Sequence, residues 1–189
     1  MSKNKVTVID VETSGIEPDQ SRVIEIAALH FVDSELVAAL DTLILPSEGF
    51  VVPEEITYIT GIKTEMLKDA PSFADVAGIV ASFIEGNTLL GHYIPFDLLH
   101  IQSEMLQCGR DMPEPAKVLD TWAMSNCLDL KWEDGTSLRN HRLTDLVRFF
   151  DLDIMLNHRA MADVLSTLSV YRKLKPLYDK KMEEANGRA

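Results

Sequence analysis

Residues 6–15 read Val6-Thr7-Val8-Ile9-Asp10-Val11-Glu12-Thr13-Ser14-Gly15. β-Branched residues crowd the first half and Ser14-Gly15 supplies a turn, so Val6–Val11 reads as a strand. Side chains at i and i+2 share a strand face. Val6, Val8, Asp10 and Glu12 therefore form one row, apolar and then abruptly acidic. Two carboxylates side by side repel each other unless a cation sits between them, and Asp is disfavoured in strands. Taken alone, the pair also fits two solvated acids at an exposed strand end.

Outward from this strand, Arg22–Val32 and Leu36–Leu45 read as two more, with Asp33-Ser34 suited to a tight hairpin turn between them. Pro46 to Pro53 reads as a loop, followed by short helical pieces at Glu54–Gly61 and Lys63–Asp69. Ser72 is a candidate N-cap for a helix carrying Val76, Ile79, Val80 and Phe83 at helical spacing, stopped by Gly86. Short strands at Thr88–Gly91 and Lys117–Leu119 then alternate with helices at Phe96–Cys108 and Thr121–Leu128. Lys131–His141 reads as a polar, mobile loop. Helices at Leu143–Phe150 and Arg159–Leu174 complete the order, and the polar segment from Pro176 is expected to fray. Three strands followed by βα units imply an α/β sandwich, a mixed sheet with helices on both faces. A ribonuclease H-like core is one option within that class.

At 189 residues and 21.2 kDa the chain has the length of one domain. The longest uncharged apolar stretch, Val76 to Ile84, is nine residues, whereas a spanning helix needs about 20. The opening residues lack a signal peptide's apolar segment. Two cysteines, Cys108 and Cys127, make neither a disulfide framework nor a zinc knuckle. The expectation is a reduced, cytoplasmic protein away from membranes. Net charge is −12 and unevenly spread. Residues 1–100 hold 5 basic and 16 acidic side chains, a net of −11, and residues 101–189 hold 13 and 14, a net of −1. Broad binding along a duplex is thereby disfavoured, and a polyanion should meet the C-terminal half.

Two further acids join the pair. Asp97 follows a short apolar strand in Gly91-His92-Tyr93-Ile94-Pro95-Phe96-Asp97, where helix capping alone would also explain it. Asp163 closes His158-Arg159-Ala160-Met161-Ala162-Asp163 at the opening of the last helix, with His158 in the loop before it. Jointly these motifs resemble the DEDDh 3′–5′ exonucleases, the group that includes polymerase III epsilon-like proofreading subunits, ribonuclease T and oligoribonuclease. Asp10-x-Glu12-Thr13-Ser14-Gly15 is close to the family's Asp-x-Glu-Thr-Thr-Gly. Phe96-Asp97 ends the second motif, and His158-x-Ala160-x-x-Asp163 matches the third in full. Arg22-Val-Ile-Glu-Ile26, Ile59-Thr-Gly-Ile62, Leu119-Asp-Thr121 and Leu143-x-x-Leu146 add support. The resemblance runs from about Val6 to Leu174. One departure stands out: Tyr93 occupies a place where the family commonly carries Asn.

The resemblance implies a ribonuclease H-like mixed five-stranded sheet flanked by helices, with an exonuclease domain over 1–176 and a polar tail over 177–189. It implies that Asp10, Glu12, Asp97 and Asp163 bind two divalent ions. Oxygen-only ligands select Mg²⁺ or Mn²⁺ over zinc. His158 would be the general base. The expected activity is release of nucleoside 5′-monophosphates from single-stranded 3′ ends, with DNA ahead of RNA. Alternatives are an oligoribonuclease-like enzyme on short RNA and a catalytically weak binding module. Backbone groups at Thr13 and Ser14 would approach the terminal 3′-hydroxyl, Ile59 and Ile62 would wall its pocket, and Tyr93 would touch substrate. Phe96 is read first as packing and second as a substrate contact. Arg159 is the leading phosphate contact, ahead of Arg139 and Arg142. His92 is expected to be structural, and Glu25 is read first as facing solvent and second as a carboxylate supporting the metal-binding acids. The short chain beyond the last motif favours a stand-alone nuclease, while leaving room for a polymerase or other protein partner and for a homodimer.

Overall fold

The computed structural model describes residues 3–154 and 158–187. Five strands form one mixed sheet: β1 (Lys5–Thr13), β2 (Val23–Val32), β3 (Glu35–Leu43), β4 (Thr88–Gly91) and β5 (Lys117–Asp120), in the spatial order β3-β2-β1-β4-β5. β1 is central, antiparallel to β2 and parallel to β4, and β4 is parallel to β5. The hairpin between β2 and β3 turns on Asp33 and Ser34, at φ 51° and 74°. Positive φ at both central positions matches the right-handed strand twist.

The helices are α1 (Glu54–Thr60), α2 (Phe73–Ile84), α3 (Pro95–Gln107), α4 (Thr121–Asn126), α5 (Leu143–Phe149) and α6 (Ala160–Asn186), with a 3₁₀ turn at Thr64–Leu67. Ser72 caps α2 as expected. Its Oγ accepts the Asp75 N–H, and the Asp75 carboxylate accepts the Ser72 N–H at 2.9 Å. The period-2 pattern of β1 divides the core. Ile9 and Val11 face one side with Ile26, Ala28, Phe73, Val80 and Ile101, under α2 and α3. Val8 faces the other with Ala27, Leu29, Leu90, Ala160 and Val164, under α6. Asp10 and Glu12 continue the Val8 row, so the acids emerge on the α6 face.

Two expectations are corrected. Residues 131–141 are not an open loop. Lys131 bridges Ser137, the Leu138 N–H donates to Leu130 O at 2.8 Å, and Trp132 packs on Phe149 at 5.2 Å between ring centroids. Buried Leu130 and Leu138 anchor both arms of this small hairpin. Helix α6 does not end near Leu174 but runs through Pro176 to Asn186. Proline removes its own N–H bond and crowds the carbonyl of Arg172 one turn earlier, which disfavours the helix without forbidding it. The turns beyond it are held by the Lys175–Asp179 ion pair, by Tyr178 packed on the α4–α5 cluster, and by Lys181 donating to the Cys127 carbonyl. Residues 188 and 189 of the expected tail lie outside the described residues.

Gly91 shows how tightly β4 feeds α3. A Cβ on Gly91 would lie 2.7 Å from Cβ of Ile94, which is fully buried. Gly91→Ala is expected to lower the unfolding free energy by about 1–3 kcal/mol through this clash. Urea denaturation checks it, and an unchanged midpoint would mean that the turn can open without cost.

Candidate active site

Asp10 and Glu12 leave β1 on the face covered by α6, and Asp163 lies one turn into that helix. One ligand oxygen from each of Asp10, Glu12 and Asp163 lies within 4.8 Å of the others. Asp97 stands beside this trio at the start of α3. It is buried, and its Oδ1 accepts the Val11 N–H at 3.0 Å. That bond ties α3 to the central strand between the two acids of β1.

Close approach of α6 depends on small residues. Ala27 sits opposite Asp10 across the β1–β2 pair, and Ala160 packs in the same cluster. The next cross-strand pair on this face is Glu12 with Glu25. Like charges placed directly opposite are destabilising. Glu25, expected at the solvent, is 1% exposed. Arg159 resolves the conflict: its Nε donates to both Glu25 carboxylate oxygens at 3.0 Å, and the Ala160 N–H donates to Oε2 at 2.9 Å. Glu25 thus holds the N-terminus of α6, where a helix favours an anion. It is the main functional-site residue that sequence reasoning misplaced. A charged residue inside the otherwise apolar run Val23–Leu29 was the available signal.

The remaining expected residues separate by position. His158 is exposed at φ 49° and lines a cleft of about 220 Å³ with Arg142, Leu143, Thr144 and Asp163. Arg142 therefore faces the cleft, whereas the Arg159 guanidinium is engaged by Glu25. Arg139 is exposed on the neighbouring loop. Thr13 Oγ1 donates to Gly15 O at 2.6 Å, and Ser14 Oγ accepts the Arg22 N–H at 2.8 Å, so both hydroxyls shape the turn after β1. Ile59 is half exposed, whereas Ile62 is fully buried with Ile24, Val52 and Leu67 and presents no surface. Phe96 is partly buried against His100, at 4.3 Å between ring centroids. Tyr93 is exposed at φ 57°. His92 Nδ1 bonds Thr121 Oγ1 at 2.9 Å, and burial pushes the ring down to about 4, so it stays neutral.

Electrostatics at the cluster follow from burial first and mutual repulsion second. Burial, then Asp97, Asp163, Glu12 and Glu25, hold the Asp10 carboxyl well above the usual carboxylate range. Burial with Asp163, Glu25 and Asp97 pushes Glu12 up to about 9, against a lowering pull from Arg159. Burial pushes Asp97 up to about 8, although the Val11 N–H stabilises its charged form. Asp163 is raised by burial and drawn back by His158. An all-oxygen donor set that resists charging unless a counter-charge is present fits a hard divalent cation.

The exonuclease family model (RNase_T) matches residues 7–171. The chain belongs to the DEDD-type 3′–5′ exonuclease family. It is 30% identical to a DNA polymerase III subunit epsilon of Treponema pallidum, over 87% of this chain and 74% of that protein. It is likewise 30% identical to the 3′-5′ exonuclease DinG of Bacillus subtilis, over 94% of this chain but 19% of that protein. The fold matches Escherichia coli Exonuclease I in complex with a dT13 oligonucleotide at a TM-score of 0.76 and 20% identity, over 94% of this chain and 43% of that one. The family relationship therefore concerns the exonuclease domain. No helix among the described residues is long and apolar enough to cross a membrane.

Two predictions follow from the charge arrangement. Glu12 and Asp97 hold protons more tightly folded, at about 9 and 8, than unfolded, near the ordinary value of about 4. Their contribution to stability is complete below pH ~4 and is lost as pH rises towards ~9. The melting temperature of the metal-free exonuclease should therefore fall from about pH 5 to 9, and millimolar Mg²⁺ should flatten the fall. A rise over that range without metal would refute the assignment. Glu25→Gln should cost about 1–3 kcal/mol in chemical denaturation, since charge-assisted hydrogen bonds to Arg159 are lost while that side chain is only partly screened by water.

Proposed function

We propose that this exonuclease hydrolyses single-stranded nucleic acid from the 3′ end, releasing nucleoside 5′-monophosphates, with DNA ahead of RNA as substrate. The observation that carries the reading is the convergence of carboxylate oxygens from Asp10, Glu12 and Asp163 within 4.8 Å, next to Asp97 and a histidine-lined cleft. The similarity to an epsilon subunit and to DinG supports it. The fold of Exonuclease I, solved with DNA oligonucleotides, is consistent with DNA as substrate.

In this reading Asp10, Glu12, Asp97 and Asp163 hold two divalent ions, Mg²⁺ or Mn²⁺. When bound, such ions activate water and stabilise the leaving oxygen of a phosphodiester. Asp97 keeps one oxygen on the Val11 amide, so it is oriented before any ligand arrives. His158 accepts the proton of the attacking water as the new P–O bond forms and the bond to the 3′ oxygen breaks, the leaving oxygen taking a proton from solvent. An exposed position beside Asp163 lets the imidazole reach solvent and cleft alike, and histidine is the side chain most often used as a general base. Arg142 contacts phosphate from the wall of the same cleft. Thr13 and Ser14, at the turn after β1, present backbone groups to the terminal sugar, and Ile59 lies against its base. The strongly acidic N-terminal half limits further phosphate contacts and keeps the footprint short.

A 5′-labelled DNA strand and its RNA equivalent, incubated with Mg²⁺ or Mn²⁺, should give a ladder shortening from the 3′ end. Asp10→Ala and Asp163→Ala should abolish it. His158→Ala should slow turnover by about 10²- to 10⁴-fold while calorimetric metal affinity is kept. Equal loss of metal affinity in all three variants would remove His158 from the role of base, and no ladder on either strand would overturn the reading.

A further inference from the structure

Two aromatic side chains stand beside the acidic cluster without belonging to the core. Tyr93 lies two residues past β4, and Trp122 two residues past β5. Because β1, β4 and β5 are parallel, both follow the sheet edge at which Asp10 and Glu12 end β1. Ligands of α/β sheets bind outside these carboxyl ends. Tyr93 is 53% and Trp122 40% exposed, and their rings meet edge to face with centroids 5.5 Å apart.

The pair is rigidly mounted. Asp120 Oδ1 accepts the Tyr93 N–H at 2.8 Å and the Trp122 N–H at 2.9 Å, so one carboxylate oxygen staples both ring-bearing turns. Tyr93 sits at φ 57°, a region that a bulky residue enters only at a cost of order 1 kcal/mol. Its carbonyl accepts the Phe96 N–H at 3.1 Å, which locks the strained turn onto α3 one residue before Asp97. Strain is thus maintained to keep apolar ring surface in water next to the reacting centre. Ile59 stands on the opposite flank, because α1 packs through Ile56 onto Ile24 of β2 and Leu43 of β3.

We propose that Tyr93 and Trp122 form a stacking platform for a nucleobase of the single strand, on the 5′ side of the scissile phosphate. This deepens the exonuclease reading and rests on it. Every base presents a π-face, so the platform grips a strand without reading its sequence. It also supplies affinity where the acidic N-terminal half offers few cations.

The test uses 5′-labelled DNA strands carrying one abasic residue at the terminal, penultimate or third position. Loss of one stacked base should raise KM about tenfold at a single position on the 5′ side, with kcat little changed. Tyr93→Ala and Trp122→Ala should each raise KM for intact DNA and remove most of that positional penalty, whereas Tyr93→Phe should keep it. A penalty equal in wild type and both variants, or absent at every position, overturns the platform while leaving the exonuclease intact. A separate titration follows Trp122 emission in Trp132→Phe protein, with oligothymidine and Ca²⁺ in place of Mg²⁺. Quenching by intact strands that is lost with the abasic strand supports the platform. Equal quenching by both, or none, refutes it. If wild type gives no metal-dependent ladder, the underlying activity has failed instead, and the fluorescence arm still decides whether a base stacks.

Discussion

Four carboxylates gathered at the end of a central strand cannot all carry charge without a counter-charge, and much of the surrounding structure is organised around that constraint. Two of the four acids have a neighbour that favours their charged form without a metal. Asp97 accepts the Val11 amide, and Asp163 feels the nearby His158. Glu25, a fifth carboxylate directly across from Glu12, is neutralised by Arg159 and by the Ala160 amide. What remains is the burial of Asp10, Glu12, Asp97 and Asp163 and, second to it, their mutual repulsion, expressed as carboxyls that stay protonated above their ordinary range. The geometry is preorganised, and a cation bound among these oxygens would relieve their repulsion.

Preorganisation of this kind needs backbone that does not give way. β1 is hydrogen-bonded on both sides, to β2 and to β4, and apolar clusters press on it from α2 and α3 on one face and from α6 on the other. Alanines at 27 and 160 let α6 approach closely enough for Asp163 to meet Asp10. The acids are exposed only at the strand end, where the row changes from Val8 to Asp10. Tyr93 and Trp122 extend the same design outward, fixed through Asp120 at the ends of β4 and β5.

Family membership through residues 7–171 places this domain among proteins of very different size. The same region spans 74% of one epsilon subunit, 12% of a PolC-type polymerase from Caldanaerobacter subterraneus and 19% of DinG.

The sequence by itself determined the mixed-sheet class and the row of Asp10 and Glu12 on one face of the first strand, because these signals are local. Alternation in residues 6–12 sets the acid row, Ser72 caps a helix three residues before Asp75, and positive-φ turns select residues such as Asp33 and Ser34. Tertiary structure decided what long-range pairing controls. Glu25 looked like a solvent-facing strand residue until a helix 134 residues away placed Arg159 upon it, and that same pairing engages the guanidinium expected to meet phosphate. Ile62 was taken inward by packing under the α1 loop while Ile59 stayed out. Pro176 failed to end α6 because docking of Tyr178 and Lys181 outweighs the missing hydrogen bond and the crowding of the preceding turn. Local pattern reports what a residue can do, and burial by distant elements decides which of those options it takes.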